Sequence, residues 1–126
     1  MATLSLLPPH RRSLEFSNMA YTTGETALTE QVKAYLDDLH DKRGLPIYYE
    51  HRSGTGGFSY KKGSPDFFIV IGGVHIECEL KTPKGKRSTS QDKWKWRCES
   101  EWQIPYCNPH TLEEFKEFIQ PFIDAL

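Results

Sequence analysis

Asp66, Glu79 and Lys81 are the side chains of this sequence best suited to do chemistry together. Asp66 follows Gly63-Ser64-Pro65 and opens one strand-like run, and Glu79-Leu80-Lys81 closes the next, VHIECELK. Side chains alternate along a strand, so Glu77, Glu79 and Lys81 share one face while Ile76, Cys78 and Leu80 take the other. The second set supplies the apolar side, so the charged side is expected to meet solvent, metal or substrate. A hairpin through Gly72-Gly73 would bring Asp66 beside the end of the second run, so that two carboxylates and an ammonium converge at one edge of a sheet. Hard oxygen ligands from Asp66 and Glu79 suit Mg²⁺ or Mn²⁺, and the Leu80 backbone carbonyl could supply another. Such an ion lowers the pKa of bound water and neutralises phosphate charge, while Lys81 can hold or deprotonate that water and stabilise developing negative charge. Those are the parts that phosphodiester hydrolysis requires. The spacing alone equally allows a cross-strand surface network of Asp, Lys and Glu, worth little energetically.

The elements that would position these groups are legible as pattern. Leu28, Val32, Tyr35, Leu36 and Leu39 form the apolar stripe of an amphipathic helix from Thr22 to about His40, with Thr22 as a cap and Gly44 beyond its end. Leu45–Arg52 reads as a strand ending in the glycine-rich Ser53-Gly54-Thr55-Gly56-Gly57. Asp66–Ile71 and Val74–Lys81 are the two arms of the hairpin. After Pro83-Lys84-Gly85 come a helix from about Ser88 to Glu101, a short strand near Ile104–Cys107, and a final helix from Thr111 to about Ala125. The order αβββαβα implies an α/β fold with a small mixed β-sheet flanked by helices. At 126 residues the chain has room for one hydrophobic core, expected over 21–126, with a flexible tail over 1–20.

Composition excludes several classes. No apolar run approaches the roughly 18 residues of a membrane span, and the arginines of the first segment follow its apolar stretch, the wrong order for a secretory signal. Three cysteines without a CxxC spacing argue against a disulfide framework and fit a reducing compartment, hence a cytoplasmic protein. The five histidines are scattered and show no HExxH pattern. Net charge is −1 overall, yet residues 40–97 carry 12 basic and 6 acidic side chains between acidic ends. That middle segment can supply a phosphate-binding face. Lys61, Lys62, Lys84, Lys86 and Arg87 flank the proposed centre on loops and are expected to contact phosphates, with Arg52 and the neighbouring glycine-rich loop tracking a backbone at close range. A solvated charged surface is the plain alternative.

A fuller string of residues resembles a known family. Gly63-Ser64-Pro65-Asp66, then Glu79-Leu80-Lys81-Thr82-Pro83-Lys84-Gly85, then Ser88, Gln91 and Trp94 is similar to the virus-type replication-repair nuclease (VRR-NUC) domain of the PD-(D/E)xK superfamily. The resemblance spans roughly residues 22 to 120. It implies a restriction-endonuclease-like core and, as in the stand-alone bacterial and phage members, a homodimer that cuts branched DNA such as four-way junctions without a small-molecule cofactor. A DNA- or RNA-binding module without catalysis, and a restriction-type or exonucleolytic repair nuclease, are the alternatives. The family uses a glutamate of the first helix as a metal ligand. Glu25 is the choice here because it lines up with the inward stripe, whereas Glu30 falls about 160–200° away. A capping box, Thr22-x-x-Glu25, competes for the same side chain. The family also turns a glutamine at the start of the second helix into its active site, a role that falls on Gln91. Ser88-x-x-Gln91 is a capping box as well, and the two roles are compatible. Along that helix Gln91, Trp94, Cys98 and Glu101 or Trp102 form the expected inward face. Trp96 points away, as a stacking platform or a lone surface aromatic. Glu77 shares the charged face with no assigned role.

Overall fold

The computed structural model describes residues 24–52, 63–81 and 88–126, with side chains from Thr26 onward in the first helix. The expected tail therefore lies outside the described residues, as do Lys61, Lys62, Lys84, Lys86 and Arg87. The element order is α1 (Gly24–Asp41), β1 (Ile47–His51), β2 (Phe67–Ile71), β3 (Val74–Cys78), α2 (Thr89–Trp96) running into a π-helical turn (Arg97–Glu101), β4 (Tyr106–Cys107) and α3 (Leu112–Asp124). This is a mixed α/β fold in the expected order. No helix among the described residues is long and apolar enough to cross a membrane.

The sheet runs β1-β2-β3-β4, antiparallel across the first two pairings and parallel between β3 and β4. Its centre is the hairpin read from Gly72-Gly73. Both glycines have positive φ, 54° and 83°, as a two-residue turn of this kind demands of its central pair. Ile71 and Val74 face each other across it, and the register then sets Ile69 opposite Ile76 and Phe67 opposite Cys78.

One face of the sheet carries the core. Leu28, Val32, Leu36 and Leu39 of α1 and Phe115, Ile119 and Ile123 of α3 close over Ile47, Phe67, Ile69, Ile71, Ile76, Cys78 and Leu80. These are the stripes that helical and strand periodicity select. Helix α1 stops at Gly44, whose φ of 66° lets its N–H reach the His40 carbonyl at 3.0 Å. Thr111 caps α3 by accepting from the Glu114 N–H at 3.1 Å.

Three element readings are corrected. β1 begins at Ile47 rather than Leu45. The strand expected to reach Lys81 has regular pairing on both sides only to Cys78, for a reason that lies in the site itself. The second helix is not α-helical to Glu101: it widens into the π-helical turn, and Cys98, buried there, is the inward residue. Glu101 and Trp102 are exposed, and Trp102 meets Trp94 edge-on at 5.6 Å.

Candidate functional site

Of the solvent, metal or substrate that the other face of β3 was expected to meet, open solvent is ruled out by burial. Glu77, Glu79 and Lys81 retain only 2%, 2% and 9% of their surface. Alternation placed the three on one face but said nothing of what covers it. The cover is the start of α2, from which Gln91 reaches the sheet, and the Arg52 side chain from the end of β1. Burying charge is costly unless partners are supplied, so the pairing of each group carries the meaning.

Asp66 and Glu79 meet where the β2–β3 ladder fails. Continuing the observed register one step beyond Phe67–Cys78 sets Asp66 opposite Glu79. The next step sets Pro65 opposite Leu80, a pair that would exchange two hydrogen bonds, as alternate pairs of an antiparallel ladder do. Proline has no N–H to give to the Leu80 carbonyl. The Leu80 N–H instead donates to Asp66 Oδ2 at 2.8 Å, and the Pro65 carbonyl accepts from Arg52 Nη1 at 3.0 Å. The strand thus ends because a carboxylate has replaced a carbonyl as its hydrogen-bond partner. On the opposite edge the parallel ladder persists, with Glu79 N–H on the Cys107 carbonyl at 2.9 Å and Lys81 N–H on the Pro109 carbonyl at 3.0 Å. The Glu79 carbonyl accepts from the Asn108 side chain at 2.5 Å. Position 79 is fixed from three directions while the β2 side of Leu80 is opened.

Burial pushes the Asp66 carboxyl above its ordinary value. The Leu80 N–H, a hydrogen bond to the Glu79 carboxyl, and the positive charges of Lys81 and Arg52 pull it part of the way back. The two carboxyls lie close enough to perturb each other, an arrangement that a shared proton or a shared cation would relieve. The donors available are hard oxygens, the class that suits Mg²⁺ or Mn²⁺. Among the described residues no three His, Cys, Asp or Glu side chains gather at one point. Glu25 sits in the first turn of α1, and its side chain lies outside the described residues. Glu30 is exposed and paired with Lys33 at 3.5 Å.

Gln91 forms the expected capping box, and its side chain also reaches Glu79. Its Oε1 accepts from the Ser88 N–H at 2.8 Å while its own N–H donates to Ser88 Oγ at 3.2 Å, a reciprocal capping box. Its Nε2 donates to Glu79 Oε2 at 2.8 Å. One carboxamide therefore joins the helix start to the buried carboxylate. Gly63 lets the two come together. Its φ is 83°, and a Cβ there would fall 2.5 Å from Ser90 Cβ and 2.6 Å from the Ser90 carbonyl carbon, so a side chain at position 63 would push the first turn of α2 away.

No family model, curated protein or solved structure matches this chain.

The site's geometry pairs Arg52 with Glu77, a contact the pattern did not show. Arg52, expected to track a backbone, is turned onto the sheet. Its Nη1 and Nη2 donate to Glu77 Oε1 and Oε2 at 2.5 and 3.0 Å, and its side chain is only 16% exposed. Glu77 also meets His75 Nε2 at 2.5 Å. Asn108 is a further participant that no sequence signal singled out. Trp96 stands 58% exposed on α2, as its position on the helical wheel requires.

Proposed function

We propose that this chain is a Mg²⁺- or Mn²⁺-dependent, structure-selective DNA endonuclease of the VRR-NUC kind, built on a PD-(D/E)xK core and acting as a homodimer on branched DNA. The observation that carries this reading is the meeting of the Asp66 and Glu79 carboxyls beside Lys81 where Pro65 ends the β2–β3 ladder. A purely structural network would not need to bury two mutually repelling carboxylates. The donors that would hold an ion are Asp66, Glu79, the Leu80 carbonyl released by Pro65, and Glu25 at the start of α1. When bound, the ion would acidify a coordinated water and neutralise charge on the scissile phosphate.

The chain's own residues account for the rest. Lys81 supplies a positive charge on the carboxylate face, placed to orient the attacking water and to offset charge building on phosphate oxygens. Gln91 fixes the rotamer of Glu79 through Nε2, so the carboxylate does not have to be ordered during the reaction. Asn108 and the parallel ladder hold the backbone beneath it. The basic loop residues Lys61, Lys62, Lys84, Lys86 and Arg87 would bind phosphates without reading bases. Selectivity for a branched shape then follows from two such sites at a fixed separation in a dimer.

The deciding experiment incubates the purified protein and Lys81→Ala with labelled four-way-junction and linear duplex DNA in Mg²⁺, Mn²⁺ or EDTA. Metal-dependent cutting confined to the junction, and lost in Lys81→Ala, is the expected result. Equal cutting of both DNAs would keep the nuclease and remove the junction selectivity. Salt-sensitive binding with no product in any metal would replace the proposal with a non-catalytic binding module.

A further inference from the structure

We infer that Arg52, clamped by Glu77, is a positioning residue that holds the Pro65–Asp66 turn against the sheet and so aims the Asp66 carboxylate at the Leu80 end of β3. The consequence for cleavage rests on the nuclease reading above. The geometric claim does not.

β1 pairs with β2 so that His51 faces Phe67, and the next pair along is Arg52 with Asp66. Arg52 N–H donates to the Asp66 carbonyl at 2.7 Å. Arg52, Asp66 and Glu79 therefore form one row across three strands, adjacent to the row Glu50, Phe68, Glu77. From that row the guanidinium turns back onto the neighbouring one. It lies over the Phe68 ring at 5.8 Å from the centroid and grips Glu77 through both nitrogens. One of those nitrogens also donates to the Pro65 carbonyl at 3.0 Å.

This last contact gives the clamp its purpose. The ladder would have held the Pro65 carbonyl with the Leu80 N–H, but that N–H is committed to Asp66. Arg52 replaces it. Without a donor at that point, the turn carrying Asp66 would lean more heavily on the carboxylate that is meant to be free for chemistry. Glu77, almost fully buried, has no outlet to solvent and fixes the plane of the guanidinium, with His75 completing its coordination. A planar fork with several donors can serve Glu77 and Pro65 together, whereas a lysine at the same place is a point donor.

The Leu80 amide reports directly on where Asp66 sits, and Ile76, in the intact part of the same ladder, is its internal control. Amide hydrogen exchange would be followed by NMR in the ¹⁵N-labelled full chain for wild type, Arg52→Gln, Arg52→Lys and the double variant Arg52→Gln/Glu77→Gln. The double variant removes both charges of the Arg52–Glu77 pair, so it keeps the test alive if the single variants fold poorly. We expect Leu80 exchange to rise at least tenfold relative to Ile76 in every variant, with Arg52→Lys failing to restore protection. In cleavage assays kcat is expected to fall at least tenfold in the double variant while DNA affinity stays within twofold. Parallel changes at Leu80 and Ile76, full rescue by lysine, or weakened DNA binding with a shallower salt dependence would each overturn the inference, the last returning Arg52 to a phosphate contact. Absence of cutting by the wild type would sink the nuclease reading, while the exchange ratio would still decide the positioning claim.

Discussion

Ile76, Cys78 and Leu80 on one face of β3 are as deeply buried as Glu77, Glu79 and Lys81 on the other, yet the two faces are held in opposite ways. The apolar three sit among α1, α3 and β2 side chains, where contact is non-directional and any shape-filling neighbour contributes. Glu77 and Glu79 depend on named atoms: two nitrogens of Arg52 and one of His75 for the first, the Gln91 amide and an adjoining carboxyl for the second. A hydrophobic replacement would have given a simpler fold at equal or better stability. Burial on this strand therefore has two physical bases, non-directional packing on one side and specific charge and hydrogen-bond pairing on the other.

The sharpest way to break that contrast is to mutate neighbours on the two faces. Lys81→Met should lower kcat by about 10²–10⁴-fold, the range for loss of a positioned acid–base or charge-stabilising group. Leu80→Ala should cost about 2–5 kcal/mol of unfolding free energy through the cavity it leaves. Urea unfolding and single-turnover cleavage, measured on both proteins, separate the effects. If Lys81→Met cost as much stability as Leu80→Ala, the charged face would be ordinary structure.

A second test sharpens the comparison through pH. Because burial raises the folded-state pKa of Asp66, the native state binds this proton more tightly than the unfolded chain does. The stability associated with it is complete below the ordinary carboxylate pKa and is lost as pH rises through the raised value. Asp66→Asn removes that loss while keeping an oxygen for the Leu80 N–H. In metal-free buffer the variant should therefore be more stable than wild type at pH 7, with the gap narrowing as pH falls towards 4. A gap that stayed constant or widened on acidification would show that the carboxylate is not strained by its burial. The same substitution is expected to abolish cutting, so the stability gained and the activity lost would have one cause.

The two faces also differ in how far the sequence made them readable. Leu28, Val32, Leu36 and Leu39 announce their face because helical periodicity and burial are the same signal. The hairpin was legible because glycine adopts φ values such as those at positions 72 and 73 at the least cost. Periodicity likewise grouped Glu77, Glu79 and Lys81. It could not reveal their cover, since Gln91 and Arg52 arrive from elements 12 and 25 residues away from their partners. Arg52, beside a glycine-rich loop, looked like an outward phosphate contact because its acceptor is not local. Pro65 was visible as part of a turn, but its effect on the ladder emerges only once the register sets it opposite Leu80. Asn108 carried no local mark at all.

The smallest expected effect isolates the one residue that belongs to both a structural motif and the site. Ser88→Ala removes the hydroxyl that accepts the Gln91 N–H and should cost about 0.5–2 kcal/mol, as loss of a helix N-cap does. It leaves the Gln91 side chain its contacts with the Ser88 N–H and with Glu79. Gln91→Ala removes the other half of the box together with the donor to Glu79. If Gln91 acts only as a cap, the two variants should slow cleavage by similar, small factors after correction for the folded fraction. If it holds Glu79, Gln91→Ala should lower kcat at least tenfold further than Ser88→Ala, with little difference between their unfolding midpoints. The geometry points to the second outcome, because Ser88→Ala leaves the Gln91 carboxamide on both the Ser88 N–H and Glu79, whereas Gln91→Ala takes that donor away from a buried carboxylate.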